Sequence, residues 1–298
     1  MSNAVPPNRI FPTSKVDAHA ASHVPATSQT ESTAYRLAFQ DTDFLLREDL
    51  RPVRFQLELL KPELLLDEAK IASTFVFYGS ARIPAPEMAD ALVASATTEQ
   101  ERAVAERLKA KAPYYDVARQ LARLASRTPI DAAGYRHFVV CSGGGPSIME
   151  AANRGAVDEG QETIGLNIVL PHEQMPNPYV TPDLSFQFHY FALRKMHFLL
   201  RARAVAVFPG GFGTFDEMFE LLTLIQTGKV RPLPILLFGR DFWSRMVDFE
   251  GLADEGVIAR KDLALLHWVE DADEAWDYVR NFYEERDGVG DTTDTDGS

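Results

Sequence analysis

The chain has 298 residues, 46% hydrophobic and 24% charged, an ordinary globular composition with ample material for a core. Its 43 acids against 30 bases give a net charge of −13. That excludes a general nucleic-acid binder with a broad basic face, but not a small anion held by backbone N–H groups and one or two cations. The single cysteine, Cys141, excludes an internal disulfide framework and a cysteine-based zinc cluster, and no apolar run reaches the ~18 residues of a membrane span.

Residues 1–33 are rich in Pro, Ser, Thr, Asn and Ala and are expected to be a disordered arm without a continuous apolar leader, so the expected compartment is the cytoplasm. Residues 34–70 have the pattern of short amphipathic helices, with Pro52 as a break. From residue 71 to 286 the character changes. "TFVFYGS", "HFVVCSGGG", "TIGLNIVL", "AVAVFPGG" and "PILLFG" are short apolar runs, suited to strands buried on both faces of a parallel sheet. Helical patterns separate them: "YYDVARQLARLAS", "PSIMEAANRGAVDEG", "FALRKMHFLLRA", "FDEMFELLTLIQTG" and "DFWSRMVDFEGLADEG". The alternation predicts an α/β class: a doubly wound, Rossmann-like, mostly parallel sheet with helices on both faces, preceded by the N-terminal helical extension. Pro84–Lys111 reads as a helical insertion, "SFQFHYF" as an extra strand and "ADEAWDYVRNFYEE" as a closing helix; the acidic tail 287–298 is expected to be disordered.

Three predicted strand ends carry unusual residues: Gly79-Ser80-Ala81-Arg82, Ser142-Gly143-Gly144-Gly145, and Pro209-Gly210-Gly211-Phe212-Gly213-Thr214. Glycine lets the backbone approach a ligand closely, and the helix that follows aims N–H groups and positive dipole at the same spot. Ligands in such sheets sit beyond the carboxyl ends of the strands, so the three turns predict a phosphate or nucleotide crevice. Pro146 suits the first position of the following helix. The dinucleotide fingerprint fails at Ile148, and Gly228-Lys229 lacks the P-loop context.

Thr214-Phe215-Asp216-Glu217 has the pattern of a capping box, which by itself favours a cap over catalysis for Glu217. Arg194 and Lys195 interrupt an apolar helix; they are either solvated cations or a phosphate clamp. His172, His189 and His197 have no metal-ligand spacing, and no metal is expected.

Pro209–Glu217 resembles the PGGxGTxxE motif of the Lonely Guy (LOG) family, cytokinin riboside 5′-monophosphate phosphoribohydrolases often mislabelled lysine decarboxylases. "FYGSAR", "GGGPSIMEAANRGA", "LRKM" and "LLTLIQTGK" are similar to further signatures of its larger bacterial subgroup, with Ser147 standing where glycine is expected. The resemblance implies hydrolysis of the N-glycosidic bond of AMP or an N6-substituted AMP, without a cofactor. It implies catalytic roles for Arg194 and Glu217, and substrate binding by Gly79, Ser80, Gly143, Gly144, Gly145, Lys195, Gly210, Gly211, Gly213 and Thr214. Glu220, one turn beyond Glu217, is expected to support it, and Glu217 is expected to stay ionised at a helix start. The family also implies a homodimer or larger homo-oligomer. A decarboxylase would need pyridoxal phosphate on a lysine, and Lys195 alone is near. The alternative on this fold is a non-catalytic nucleotide- or molybdenum-cofactor-binding protein, which would need the glycine turns but not the Arg194/Glu217 pair.

Overall fold

The apolar runs pair side by side in the computed structural model, which describes residues 11–171 and 175–288. The first ten residues of the expected arm, His172 and the tail from residue 289 lie outside the described residues. By its contacts the chain divides into two units, Met1–Leu64 and Leu65–Ser298.

In the first unit α1 (Ser14–Ala21) starts at Thr13, whose hydroxyl accepts from Val16 N, and buries none of its residues. Short 3-10 turns then alternate with α2 (Thr42–Leu45), capped by Asp41. In α3 (Arg51–Glu68), within which the division falls, Pro52 occupies the first turn. A proline costs nothing there, because that N–H has no intrahelical partner, so Pro52 is part of the helix start and not the break its position suggested.

The second unit runs β1 (Thr74–Tyr78), α4 (Pro86–Ala94), α5 (Glu99–Lys109), α6 (Pro113–Ser126), β2 (Val139–Ser142), α7 (Ile148–Asp158), β3 (Ile164–Ile168), β4 (Ser185–Phe188), α8 (Phe191–Leu200), β5 (Ala202–Val207), α9 (Phe212–Gln226), β6 (Ile235–Phe238), α10 (Arg240–Met246), α11 (Phe249–Asp254), β7 (His267–Val269) and α12 (Ala272–Gly288). Every strand pair is parallel, in the order β4-β3-β2-β1-β5-β6-β7. The chain winds from β1 out to β4, then returns to the other side of β1 with β5. The strand order therefore reverses between β1 and β5, where an open parallel sheet leaves a crevice above its carboxyl edge.

The expected helical insertion is the pair α4 and α5, the second opened by a capping box of Thr98 and Glu101. The expected extra strand is β4, at the sheet edge. Two local readings change. Helix α7 begins at Ile148 with Ser147 at its cap, so Pro146 precedes the helix and does not start it. The single helix expected after Gly239 is two, because Val247 is extended and the Asp248 carboxylate accepts from Gly251 N to begin α11 afresh.

Helices α6, α7 and α12 cover one face of the sheet. Phe77, Phe208 and Phe238 stack in a row beneath them, with successive ring centroids 6.5 and 4.2 Å apart. Each is fully buried and contributes about 1.5–3 kcal/mol by leaving water. Gly155 sets the spacing of α6 and α7: a Cβ there would overlap the Arg119 carbonyl oxygen. The pairs Arg119–Asp158 and Arg123–Glu159, at 2.5 and 2.8 Å, join the same two helices at their rim. Strand side chains alternate, so Tyr78 emerges on the opposite face and meets Phe198 of α8 edge-on at 5.2 Å. Helices α8 and α9 lie on that side and carry the site.

Candidate active site

The three glycine turns meet. Ser80 N, after β1, donates to the Pro209 carbonyl at 3.1 Å, and Ser80 O accepts from Ile148 N at 3.4 Å. The end of β1 thus touches the starts of both α7 and α9. With residues of α8, β3 and α10 the turns line a cleft of about 780 Å³. Gly79, Ser80, Gly143, Gly145, Gly211, Gly213 and Thr214 face it, as do Arg194 and Glu217. Gly144 and Gly210 shape the turns from behind: Gly144 has φ +71°, and a Cβ on Gly210 would overlap Thr214 Oγ1. The first N–H groups of α7 and α9 have no acceptor within their helices and suit an anion.

Glu217 is not a cap. Helix α9 starts at Phe212 with Gly211 as N-cap and no side-chain capping bond, because the extended backbone of Gly211 lets the helix begin earlier. Thr214 is accordingly buried inside the first turn. Glu217 Oε1 instead accepts from Arg194 Nη2 of α8 at 3.0 Å, with the two side chains 8% and 14% exposed. Its other oxygen faces Gly213, and Arg194 Nη2 lies beside Gly143, so the pair spans the space between two turns. The guanidinium also lies over Phe198, 5.2 Å from the ring centroid, and its Nε is buried without a partner among the described residues.

Burial pushes the Glu217 carboxyl up to about 7, against the opposing pull of Arg194 and with the help of Asp216 and Glu220. The expectation of a permanently ionised carboxylate fails: the helix start offers it less than burial takes away. Near neutral pH it holds and releases a proton. Burial, then the charge of Glu217, also raises the Tyr78 phenol well above its ordinary range, so Tyr78 remains a protonated hydroxyl in the cleft lining.

Lys195, next to Arg194 on α8, points elsewhere. Its ammonium bonds Asp216 Oδ1 at 2.9 Å and Glu220 Oε2 at 3.0 Å, and it is absent from the cleft lining. Adjacent residues on a helix diverge by ~100°, so only one of the pair can face the site. Glu220 therefore supports Lys195 rather than Glu217. No lysine lines the cleft among the described residues, so the site does not fit a pyridoxal phosphate held on a lysine.

A buried polar network holds the Gly143–Gly145 turn, joining Ser142 and Asn153, which lie in the glycine-turn motifs, to Asn177, which no sequence pattern signalled. Asn153 Oδ1 accepts from Ser142 Oγ at 2.8 Å and from Asn177 Nδ2 at 2.9 Å. Asn177 N and Nδ2 donate to the carbonyls of Gly144 and Gly145, at 2.8 and 2.9 Å. Ser147 follows at φ +68° and ψ −126°, a region costly for any side chain, its hydroxyl donating to Ile83 O at 2.5 Å. Met149, Asn167, Leu170 and Met246 are also part of the lining; of these only Met149 falls in a motif legible in the sequence. Among the described residues no helix is long and apolar enough to cross a membrane.

Residues 149–279 match the model of a family described as "Possible lysine decarboxylase". The chain is similar to the cytokinin riboside 5′-monophosphate phosphoribohydrolase LOG2 of Arabidopsis thaliana, 27% identical over 50% of this chain and 67% of that one. It is also similar to the pyrimidine/purine nucleotide 5′-monophosphate nucleosidase of Escherichia coli K12, 30% identical over 42% of this chain; that match spans only 29% of the relative's length. A solved molybdenum cofactor binding protein from Rippkaea orientalis is 18% identical over 71% of this chain and 98% of that one, with a TM-score of 0.42.

Proposed function

We propose, from the premise that this chain belongs to the Lonely Guy ("possible lysine decarboxylase") family, that it hydrolyses the N-glycosidic bond of a nucleoside 5′-monophosphate, releasing the base and ribose 5-phosphate. The observation that carries the reading is the buried Arg194–Glu217 pair, 3.0 Å apart inside a cleft made of three glycine-rich strand ends. A carrier of the same fold needs the turns but gains nothing from a buried ion pair, which by itself is weak evidence of stability.

AMP, or AMP with an apolar N6 substituent, is the substrate this reading favours, the apolar lining by Met149, Leu170, Phe198 and Met246 suiting a base with an apolar edge. The N–H groups at the start of α9, with Gly211, Gly213 and Thr214, take the phosphate. The C1′–N bond breaks, its electron pair leaving with the base, which takes up a proton, while water supplies the hydroxyl that ends on C1′. Ionised Glu217 stabilises the developing ribosyl cation and accepts the proton of the attacking water; its value of about 7 makes it a base matched to neutral pH. Arg194 fixes the carboxylate and offers its remaining N–H groups to the nucleotide.

The active form in this reading is a homo-oligomer, in keeping with Phe212, 96% exposed at the cleft rim, and with exposed Phe191 and Met196 on α8. The reaction takes place in the cytoplasm, which suits a chain whose one cysteine, Cys141, is a buried free thiol. The test is release of free adenine and ribose 5-phosphate from AMP and from isopentenyl-AMP. If neither is cleaved while AMP still raises the melting temperature, the hydrolase reading fails and a nucleotide-binding protein takes its place.

A further inference from the structure

The geometry points to Arg82 as a positioning residue that reads the anionic 5′-phosphoryl group of the ligand; this rests on the nucleotide reading above. Among the described residues two cationic side chains line the cleft, Arg82 and Arg194. The charge of Arg194 is already matched by Glu217 at 3.0 Å. The Arg82 guanidinium has no hydrogen bond or ion pair among the described residues, although acids outnumber bases 43 to 30 in this chain. With Glu217 ionised, a phosphomonoester entering the cleft therefore meets one uncompensated cation.

The backbone places that cation where an anion would bind. Ser80 Oγ accepts from Arg82 N at 2.9 Å, which curls the chain after β1. Ser80 N and Ser80 O bond Pro209 O and Ile148 N, so the curl is pinned between the first residue of α7 and the turn that leads into α9. Both helices exceed ten residues, with 11 and 15, and each directs positive dipole and N–H groups that lack an intrahelical acceptor toward its start, although Ile148 N is already bonded to Ser80 O. A planar guanidinium adds two parallel donors to the phosphoryl oxygens, a geometry a lysine cannot copy. Lys195, beside Arg194 on α8, is engaged with Asp216 and Glu220 outside the cleft lining.

The phosphoryl group does not change charge as the C1′–N bond breaks. Arg82 thus contributes equally to the ground and transition states, and its loss acts on KM rather than kcat. The exposed position of Arg82 makes folding of its variants a minor concern.

The experiment compares the full-length wild type with Arg82→Ala and Arg82→Lys, using AMP hydrolysis, and compares Glu217→Gln with Arg82→Ala/Glu217→Gln for binding without turnover. Arg82→Ala is expected to raise KM for AMP by about 10- to 100-fold with kcat within about threefold, and Arg82→Lys to recover part of the loss. In the Glu217→Gln background AMP should raise the melting temperature more than adenosine does, and the Arg82→Ala change should remove that difference. An unchanged KM, or an AMP preference that survives the change, overturns the assignment. If the wild type cleaves no nucleotide, the proposed function falls separately, and the AMP-against-adenosine comparison still decides Arg82: no preference for AMP in the first place overturns it.

Discussion

Arg194 Nη2 lies 3.0 Å from Glu217 Oε1, so two residues 23 positions apart in sequence join two helices through side chains largely withdrawn from water. Taking both charges out of water costs more than their attraction returns unless further hydrogen bonds are made, and Arg194 Nε is without a partner among the described residues. The fold thus leaves part of the hydrogen-bonding capacity of this pair unused among the described residues.

Replacing Glu217 by Gln keeps the shape and removes the titratable group. Turnover of AMP is expected to fall at least ~100-fold, while the melting temperature at pH 7 stays within a few degrees. A proportional loss of both would return Glu217 to a structural role. Product release by chromatography and a thermal melt on the same preparations decide it.

The pH dependence has a definite sign. Glu217 is raised from its ordinary 4.5 to about 7, so the folded protein holds this proton more tightly than the unfolded chain. The associated stabilisation is complete below about pH 4.5 and is lost as pH rises through about 7. Urea melts of wild type and Glu217→Gln should therefore diverge in favour of the variant as pH rises from 5 to 8, by a few kcal/mol at most. Since the ionised form is the proposed base, kcat/KM should rise through the same region, with an apparent value near 7.

Arg194→Ala should act in the opposite sense. It leaves the Glu217 carboxyl buried without its cation and drives its proton affinity higher still. The variant should lose about 3–5 kcal/mol at pH 8 and distinctly less at pH 5, where the carboxyl is protonated. Equal losses at the two pH values, by chemical denaturation, would contradict the raised carboxyl.

Ser147 should tolerate glycine better than alanine. Glycine costs chain entropy inside a helix, but Ser147 is the N-cap of α7, and at φ +68° glycine relieves strain that alanine keeps. Both changes lose the hydroxyl bond to Ile83 O. Ser147→Gly should stay within about 1 kcal/mol of wild type and Ser147→Ala should be the less stable of the two, read from urea midpoints.

At Gly155 even one methyl is too many. The Cβ of alanine would overlap the backbone carbonyl of Arg119, which cannot rotate away as a side chain would. Gly155→Ala should cost about 1–3 kcal/mol despite the better helix propensity of alanine, measured by thermal or urea unfolding.

The sequence by itself determined the parallel sheet, the helices between its strands and the three turns that face the cleft. Those features are written locally: a run such as Thr74–Tyr78 is apolar on both faces, and glycines follow where backbone must come close. It also placed Arg194 and Glu217 among the residues of interest. Only the tertiary structure decided what they touch and how deeply they are buried. The local pattern Thr214–Glu217 reads as a cap, and it yields to Arg194 because α8 packs beside α9 and supplies a partner that chain spacing does not encode. Burial, not the helix start, sets the proton affinity of Glu217, and burial is a sum over elements distant in sequence. The same reason separates Arg194 from Lys195: the sequence puts them side by side, while the helix turns one into the cleft and the other toward Asp216 and Glu220. Asn177, which helps hold the glycine turn, has no signature, and Asn153 lies in the glycine-turn signature without showing its partners there, because a buried amide is recognisable only once the groups it must satisfy have been brought around it.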